Sequence, residues 1–120
     1  MKAALRTLTP LLPAGADLAA ALDFYERELG FTIEWRGATM AGLRRDGVAL
    51  NLVENATREW AENASFAIGV SDLDALYAEY VGVPARVGPL ETKPWGRREF
   101  HLLLANGVCL QFHQNDEGTA

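Results

Sequence analysis

The sequence predicts an α+β fold made of two βαβββ units, which form a curved, antiparallel-rich mixed sheet with helices on one face. Residues 47–52 (GVALNL) are echoed sixty residues later by residues 107–112 (GVCLQF). An Asp-Leu pair followed by a tyrosine also occurs twice, from Asp17 and from Asp72, at an offset of 55 residues. Self-similarity of this kind marks a repeated architecture. The change of offset predicts about five extra residues in the second unit, near 87–95, where Gly, Pro and polar residues cluster.

Length and composition predict a single domain over residues 1–120, with pseudo-repeats at about 3–55 and 64–114 and a flexible tail at 115–120. With 120 residues, 49% of them hydrophobic, the chain can bury a sizeable core. No apolar run approaches the roughly 18 residues of a membrane span, and no signal-peptide pattern opens the sequence. These features predict a cytoplasmic protein without a membrane partner. The net charge of −5 argues against a nucleic-acid partner, and Cys109 is expected to be a packed free thiol.

The first unit begins with a predicted strand over residues 3–12. Pro10 indicates an edge position or a bulge, because proline cannot donate to a ladder. Asp17 starts a helix whose apolar residues recur at helical spacing until Gly30 ends it. Residues 31–36 then alternate between apolar and polar side chains, which is the period of a strand.

A first hairpin is predicted over residues 39–45 and 48–54, because Asp46-Gly47 is a strong signal for a two-residue type I′ turn. Its register pairs Leu43 with Leu50, Met40 with Val53, and Gly42 with Asn51. One face is then leucine-rich and suited to pack against the helix. The other face mixes polar, small and flexible side chains, namely Met40, Gly42, Arg44, Ala49, Asn51 and Val53. Since helices cover one face of such a sheet, the second face is predicted to line a ligand-binding hollow.

The second unit repeats this order after a polar connector at 55–63, which is predicted to be a helical turn. Its Trp60 is either a plug over the core or a ligand or dimer contact. The elements predicted next are a strand at 65–70, a helix at 72–80 capped by Ser71, a short strand at 85–87 and a loop at 88–96.

The final hairpin is predicted to turn at Asn106-Gly107. Its register pairs Leu104 with Cys109, Leu102 with Gln111, and Phe100 with His113. By the repeat, four of its residues face the same hollow as Asn51, namely Phe100, Leu102, Gln111 and His113. His101 is then predicted on the opposite face, so that the two histidines do not share a metal ion.

Groups that carry catalysis are scarce in this sequence. Metal catalysis needs three or four His, Asp, Glu or Cys side chains at one point, and the chain has two histidines and one cysteine. It also lacks a Gly-x-Ser-x-Gly elbow and a glycine-rich phosphate loop. Paired carboxylates stay open, since four acidic residues lie near possible rims, where charges usually face solvent: Glu34, Glu54, Glu91 and Glu99. The aromatic and apolar residues that favour binding over reaction are Trp35, Met40, Trp95 and Phe100.

Several motifs resemble the vicinal oxygen chelate superfamily, and within it the bleomycin and phleomycin resistance proteins. Asp17-Leu18, Phe24-Tyr25 and Leu29-Gly30-Phe31 together resemble the first unit of the superfamily. The likeness to the bleomycin binders covers roughly residues 5–113 and is carried by residues 76–80 (LYAEY), by residues 94–97 (PWGR) with Glu99-Phe100, and by the Gly107 hairpin. The resemblance implies a glyoxalase/bleomycin-resistance-like fold. It also implies antibiotic resistance by stoichiometric sequestration of a drug rather than by an enzyme.

The resemblance further implies a site and partners. The superfamily's metal ligands would correspond to Thr9, Asn51 or Val53, Ser65 and Gln111, so neither a metal nor another cofactor is expected. Bleomycin binders form homodimers by exchanging or sharing their first strands, and they hold the drug in grooves at the interface. A homodimer that binds a bleomycin-family glycopeptide is therefore expected. The residues predicted to bind the ligand are Trp35, Met40, Asn51, Val53, Trp60, Trp95, Phe100, Leu102, Gln111 and His113.

Departures from the family pattern keep other functions open. The strand at 65–70 has Ala67 and Gly69 where some relatives place tryptophans, and Leu104-Ala105 replaces the usual Asp-Pro before the last turn. Both differences make the predicted groove wider or less aromatic. The alternatives are a metal-dependent glyoxalase- or dioxygenase-like enzyme, and a binding protein of the same fold for another aromatic metabolite.

Overall fold

The computed structural model describes residues 1–115, which form a βαβββ unit, a short connecting helix and a second unit of the same order with one additional short strand, Glu91–Thr92, inside the predicted loop at 88–96. The predicted tail, apart from Asn115, lies outside the described residues. The elements in chain order are β1 (Leu11–Pro13), α1 (Leu18–Arg27), β2 (Thr32–Arg36), β3 (Met40–Arg45), β4 (Val48–Val53), α2 (Arg58–Glu62), β5 (Ser65–Val70), α3 (Leu73–Tyr80), β6 (Arg86–Val87), β7 (Glu91–Thr92), β8 (Arg98–Leu103) and β9 (Cys109–Gln114).

Each unit builds its own mixed sheet. The first sheet has the order β1-β4-β3-β2, and the second has the order β5-β9-β8-β6, with β7 also paired to β8. In both sheets the first strand of the unit runs parallel to the last one, while the other pairs are antiparallel. The predicted α+β fold with repeated units is confirmed, but the described strands form two sheets instead of one.

The helices begin in the same way in both units. Asp17 and Asp72 cap α1 and α3 by accepting a hydrogen bond from the backbone N–H three residues later. The predicted cap Ser71 is therefore wrong by one residue. The side chains of Glu54, which follows β4, and of Gln114, which ends β9, accept from the first N–H of α1 and α3, respectively. None of the helices within residues 1–115 is long and apolar enough to cross a membrane.

The hydrophobic core lies between the helices and one face of each sheet. In the first unit, leucines of α1 pack with the leucine-rich face of β3 and β4, as predicted. In the second unit, Tyr77 and Tyr80 of α3 meet Phe100 and Phe112 edge-on, with ring centroids 5.1 and 5.5 Å apart. Each fully buried Leu or Phe side chain contributes about 1.5–3 kcal/mol. The opposite face of each sheet carries no helix, and we call it the open face.

The first hairpin has the predicted register. Leu43 pairs with Leu50, Met40 with Val53, and Gly42 with Asn51. The turn type differs from the prediction, because only Asp46 has a positive φ, of 51°, whereas Gly47 does not. The hairpin therefore does not have the predicted type I′ turn, which needs positive φ at both central residues.

The final hairpin is one residue out of the predicted register. The Leu104 N–H donates to the Val108 carbonyl, and the Gly107 N–H donates to the Leu104 carbonyl. With Gly107 at φ 109°, this is a three-residue loop in which a type I turn is followed by a bulge. The observed pairs are Leu103 with Cys109, Leu102 with Leu110, His101 with Gln111, Phe100 with Phe112, and Glu99 with His113.

This slip turns every side chain of β8 to the other face. Phe100 and Leu102 were predicted on the open face, but both lie in the core with no exposed surface. His101 was predicted on the opposite face, but it pairs with Gln111 on the open face, beside Glu99. The predicted placements of Gln111 and His113 on the open face are confirmed.

The first strand is much shorter than predicted. Only Leu11–Pro13 pair with β4, and residues 1–10, which we call the N-terminal arm, belong to no strand. Leu5 and Leu8 are 103% and 90% exposed, so neither packs on its own chain. The arm separates from the first sheet at Pro10, whose carbonyl still accepts a hydrogen bond from the Asn51 N–H at 2.9 Å. The short strand predicted at 85–87 is confirmed, with bounds Arg86–Val87.

Polar contacts join the two units. Arg45, at the first hairpin, donates to both carboxylate oxygens of Glu79 on α3, at 2.6 and 2.9 Å. Its guanidinium and the Tyr80 hydroxyl both donate to the Leu29 carbonyl, at 2.8 and 2.7 Å. Burial raises the pKa of Tyr80, which keeps the hydroxyl protonated as a donor. The end of α1, the first hairpin and α3 are thereby held in one arrangement.

Candidate functional site

The first open face carries a tryptophan that lies flat on the sheet. Trp35 on β2 pairs with Gly42 on β3 at a bulge between Ile33 and Trp35, and its indole Nε1 would be 2.0 Å from a β-carbon at Gly42. Only glycine leaves room for the ring at this place. The Trp35 side chain is 46% exposed, so one ring face rests on the backbone while the other is available to a ligand.

Three further residues predicted for the site share this face. Met40 and Val53 are register partners, and Asn51 pairs with Gly42. All three side chains are half-buried. The structure therefore brings together Trp35, Met40, Asn51 and Val53 as predicted, although their binding of a ligand stays a prediction.

The second open face carries Trp95, which lies on a loop rather than on a strand. The loop between β7 and β8 is closed by backbone hydrogen bonds from Lys93 to Arg97 and from Gly96 to Lys93. Trp95 is 62% exposed, and its ring is nearly parallel to that of His101, with 16° between the planes and 6.5 Å between centroids. As with Trp35, one ring face is backed by the protein and the other is free.

Beneath Trp95 lies a buried carboxylate. Glu99 has no exposed surface, and among the described residues it is the one charged residue that is buried. Burial raises the pKa of Glu99, but hydrogen bonds from His101, Arg97 and Trp95 and the charge of Arg97 outweigh it, so the pKa lies below its usual value. Glu99 is thus ionised at neutral pH. The expectation that it lies at a solvent-facing rim is wrong.

Sequence reasoning missed the pair Glu99 and His101. The alternation of Phe100 and Leu102 with polar neighbours was a signal for it, because the apolar members of a strand belong to the core face. A register that keeps Phe100 and Leu102 on the core face, in place of the register derived from the turn dipeptide, puts Glu99 and His101 on the face of the hollow.

The positions that hold metal in relatives do not fit a divalent ion in this chain. Gln111 and Ser65 are bonded to each other, the amide Nε2 donating to the hydroxyl at 2.6 Å, and Thr9 lies on the exposed arm. Amide and hydroxyl groups replace the imidazoles and carboxylates that such sites require. Within residues 1–115, no three His, Cys, Asp or Glu side chains are grouped to hold an ion.

The remaining predicted site residues lie at the margins. Trp60 on α2 is half-buried and packs against the core, which agrees with its interpretation as a plug. His113 is half-buried near the end of β9, with Nδ1 3.2 Å from the Gln114 carbonyl. Cys109, half-buried on β9, has a pKa raised chiefly by burial, so the thiol is protonated at neutral pH.

The described chain thus consists of two related units, each with helices on one face of a mixed sheet and an exposed tryptophan on the helix-free face. Residues 10–112 match the family model described as the Glyoxalase/Bleomycin resistance protein/Dioxygenase superfamily. The chain belongs to this superfamily. No curated protein sequence matches the chain.

Solved structures resemble the chain over nearly its whole length. A bleomycin-binding protein complexed with bleomycin has a TM-score of 0.82 and 27% identity, covering 93% of this chain and 100% of its own. A bleomycin resistance determinant encoded on transposon Tn5 has a TM-score of 0.81 and 27% identity, covering 93% and 99%. A bleomycin-binding protein from Streptomyces verticillus, complexed with copper(II)-bleomycin, has a TM-score of 0.79 and 25% identity, covering 94% and 100%.

Proposed function

We propose that this protein binds a bleomycin-type antibiotic without altering it, and that it confers resistance by keeping the drug from its DNA target. The observation that carries this proposal is the pair Trp35 and Trp95, each with one ring face backed by the protein and the other free. Flat heteroaromatic rings stack on such faces for about 0.5–1.5 kcal/mol each beyond the area they bury. A protein with this role acts where the drug would meet DNA, which implies a cytoplasmic location.

Binding without reaction is favoured by the chemistry of the open faces. The Cys109 thiol is protonated and half-buried, and the amide of Gln111 is engaged by Ser65. Glu99 is buried, both of its oxygens accept hydrogen bonds from Arg97 and His101, and its lowered pKa makes it a weak base. None of these groups is poised for nucleophilic or acid–base catalysis.

The direct test is calorimetric titration of the protein with bleomycin, followed by mass spectrometry of the recovered drug. We expect saturable binding at micromolar drug or below, and recovery of the drug unchanged in mass. Trp35→Ala should weaken binding by about 1–3 kcal/mol. Absence of saturable binding would reject bleomycin as the ligand, whereas a change in the drug's mass would favour an enzyme.

We also propose that the protein is a homodimer joined by its N-terminal arms. A groove of about 920 Å³ lies between the first hairpin and the β5–α3 region. Its walls carry charged side chains such as Arg45 and Glu79 as well as apolar ones, among them Val48, Ile68, Leu76 and Phe112. The equivalent position in the other half is filled, because α2 packs against β1 and Glu62 lies against Gly107 at the tip of the final hairpin.

The repeat identifies the missing counterpart of α2. Leu11 faces Asn51 as Ala67 faces Gln111, so β1 and β5 correspond at an offset of 56 residues. Residues 58–62 of α2 therefore correspond to residues 2–6 of the arm, whose Leu5 has no contact within its own chain. Exchange of arms between two copies would place Leu5 of one copy in the groove of the other.

Light scattering after size exclusion tests the dimer. Removal of residues 1–8, or the substitution of both Leu5 and Leu8 by Asp, should give a monomer. Lys2→Asp, which changes charge on the same arm without removing an apolar side chain, should leave the mass unchanged. A monomeric wild-type protein, or a dimer that survives the truncation, would contradict arm exchange.

A second candidate is a binding protein for another aromatic metabolite. Ala67 and Gly69 on β5 are exposed and present no aromatic ring on the second open face, which makes this face less aromatic than in some relatives. A thermal-shift screen of flat aromatic compounds tests this candidate. A larger stabilisation by a compound unrelated to bleomycin would favour it.

A further inference from the structure

Glu99 holds two side chains of the Trp95 region at once. Its Oε1 is 2.7 Å from Nε2 of His101, and its Oε2 is 2.9 Å from Nε of Arg97. Because an ionised carboxylate only accepts hydrogen bonds, both nitrogens donate. Hydrogen bonds to a charged group are roughly twice as strong as neutral ones, and a buried charge is costly unless it is paired. Both partners are therefore strongly restrained.

The restraint passes from Glu99 to Trp95. Its ring is mostly exposed and stacks on His101, and its loop ends at Arg97, which Glu99 binds. Without Glu99, the imidazole would be free to rotate and the loop end free to move. The orientation of the Trp95 ring thus depends on a carboxylate underneath it.

The two halves of the protein support their tryptophans at corresponding places. Gly42 faces Asn51 in the first sheet, and His101 faces Gln111 in the second. Asn51 and Gln111 are themselves equivalent by the repeat of sixty residues. Trp35 rests on the first of these positions and Trp95 on the second. Gly42 has no side chain to orient, whereas the imidazole of His101 has to be kept in one orientation.

We propose that Glu99 is the positioning residue of Trp95, acting through His101 and Arg97 and through the hydrogen bond that the indole itself donates to the carboxylate, and that it presents the free face of the ring to the ligand. The part of this inference that concerns a ligand rests on the proposed function. The part that concerns the ring does not.

Nuclear magnetic resonance of the ligand-free protein tests the positioning directly. The Trp95 ring current should shift the imidazole carbon-bound protons of His101, and Trp95→Ala gives the reference without that shift. We expect Glu99→Gln to move these protons most of the way to the reference. Arg97→Gln provides a second variant that leaves Glu99 in place, and it should move them part of the way.

The matched control is Glu91→Gln. Glu91 is the register partner of Glu99 on β7 and bonds Lys93 of the same loop, yet it is exposed. Its substitution should leave the His101 shifts unchanged, and circular dichroism should show all variants folded. Unmoved His101 shifts in a folded Glu99→Gln protein, or equal shifts in the control, would overturn the proposal.

Titration with bleomycin then separates the two proposals. Glu99→Gln should weaken binding about tenfold, equivalent to about 1.4 kcal/mol, while Glu91→Gln should bind as the wild type does. If the wild type binds no bleomycin, the proposed function fails, and the His101 shifts still decide the role of Glu99. Wild-type affinity in a variant with displaced shifts would overturn the presentation of Trp95 to the ligand.

Discussion

The substitution Gly42→Ala tests whether Trp35 forms a binding surface. A β-carbon at this position would lie 2.0 Å from Nε1 and 2.6 Å from Cδ1 and Cε2 of the indole. Ordinary contact begins near 3.4 Å, so the ring has to retreat by about 1.4 Å, the difference between 3.4 and 2.0 Å. Because the ring is 46% exposed, it can lift away from the sheet into solvent instead of straining the strand.

The effect on folding should be small. Gly42 has no positive φ, so alanine fits its backbone, and loss of freedom in the unfolded chain stabilises the variant by about 0.4–1 kcal/mol. This gain opposes the loss of contact beneath the ring. The effect on binding should be larger, because a lifted ring no longer presents its face to the ligand. Loss of about 0.5–1.5 kcal/mol of stacking weakens affinity about 2- to 13-fold.

Calorimetric titration with bleomycin measures this loss, and urea unfolding measures the stability. Gly82→Ala is the matched control, since a β-carbon there meets nothing within 4 Å and φ is not positive. The control should bind as the wild type does. Wild-type affinity in Gly42→Ala would refute the role of Trp35 as a surface for the ligand, and a loss of stability above about 2 kcal/mol would show that the ring cannot lift.

Three other substitutions test the core, the interunit contact and the buried charge. Phe100→Ala should cost about 3–5 kcal/mol in urea unfolding, because Phe100 lies in the core and not on the open face. Tyr80→Phe removes the donor to the Leu29 carbonyl and should cost about 1 kcal/mol, or about 4 °C in melting temperature, with Tyr77→Phe as control. The charged and titratable neighbours of Glu99 are Arg97, His101, His113 and Glu91, and in the folded protein its pKa is lowered. The ionised carboxylate therefore stabilises the fold above the unfolded carboxyl pKa of about 4.3, and this stabilisation is lost as pH falls through the folded pKa. The melting-temperature advantage of wild type over Glu99→Gln should therefore shrink below about pH 4.3, and an advantage independent of pH would contradict the ionised carboxylate.

The two hairpins show what a turn dipeptide can predict. Asp46-Gly47 supplies the two central residues of its turn, and the register derived from it is correct. Asn106-Gly107 supplies the last two positions of a four-residue turn, and the register derived from it is off by one. An Asn-Gly pair suits both geometries, since glycine accepts positive φ in either. The alternation of apolar residues along β8 therefore distinguishes the two registers better than the turn does.

The first strand exposes another limit of sequence reasoning. Residues 3–12 have the composition of a strand, yet only Leu11–Pro13 are paired within the chain. Local sequence indicates that a segment suits a strand, but it does not identify the partner strand. For the arm we propose contact with a second copy through apolar side chains, and a contact of that kind cannot be read from the sequence of one chain.

The site was predictable where it depends on strand faces and unpredictable where it depends on what covers them. Trp35, Met40, Asn51 and Val53 lie together because alternation along correctly paired strands determines their face. The burial of Glu99 depends on a loop that folds back over its own strand. The alternation along β8 indicates which face Glu99 lies on, but it does not indicate that this carboxylate is buried, because charges near strand ends usually face solvent.

The correspondence of Gly42 with His101 explains how one repeated fold can hold two different ring surfaces. In the first half the indole lies directly on the backbone, at Gly42. In the second half the indole lies nearly parallel to the imidazole of His101, with the ring centroids 6.5 Å apart. This indole also depends on the charge of Glu99, because Glu99 holds the imidazole. The two tryptophans therefore differ in their support and in their electrostatic surroundings, and a ligand with two unlike ends gains more from this pair than a symmetric one does.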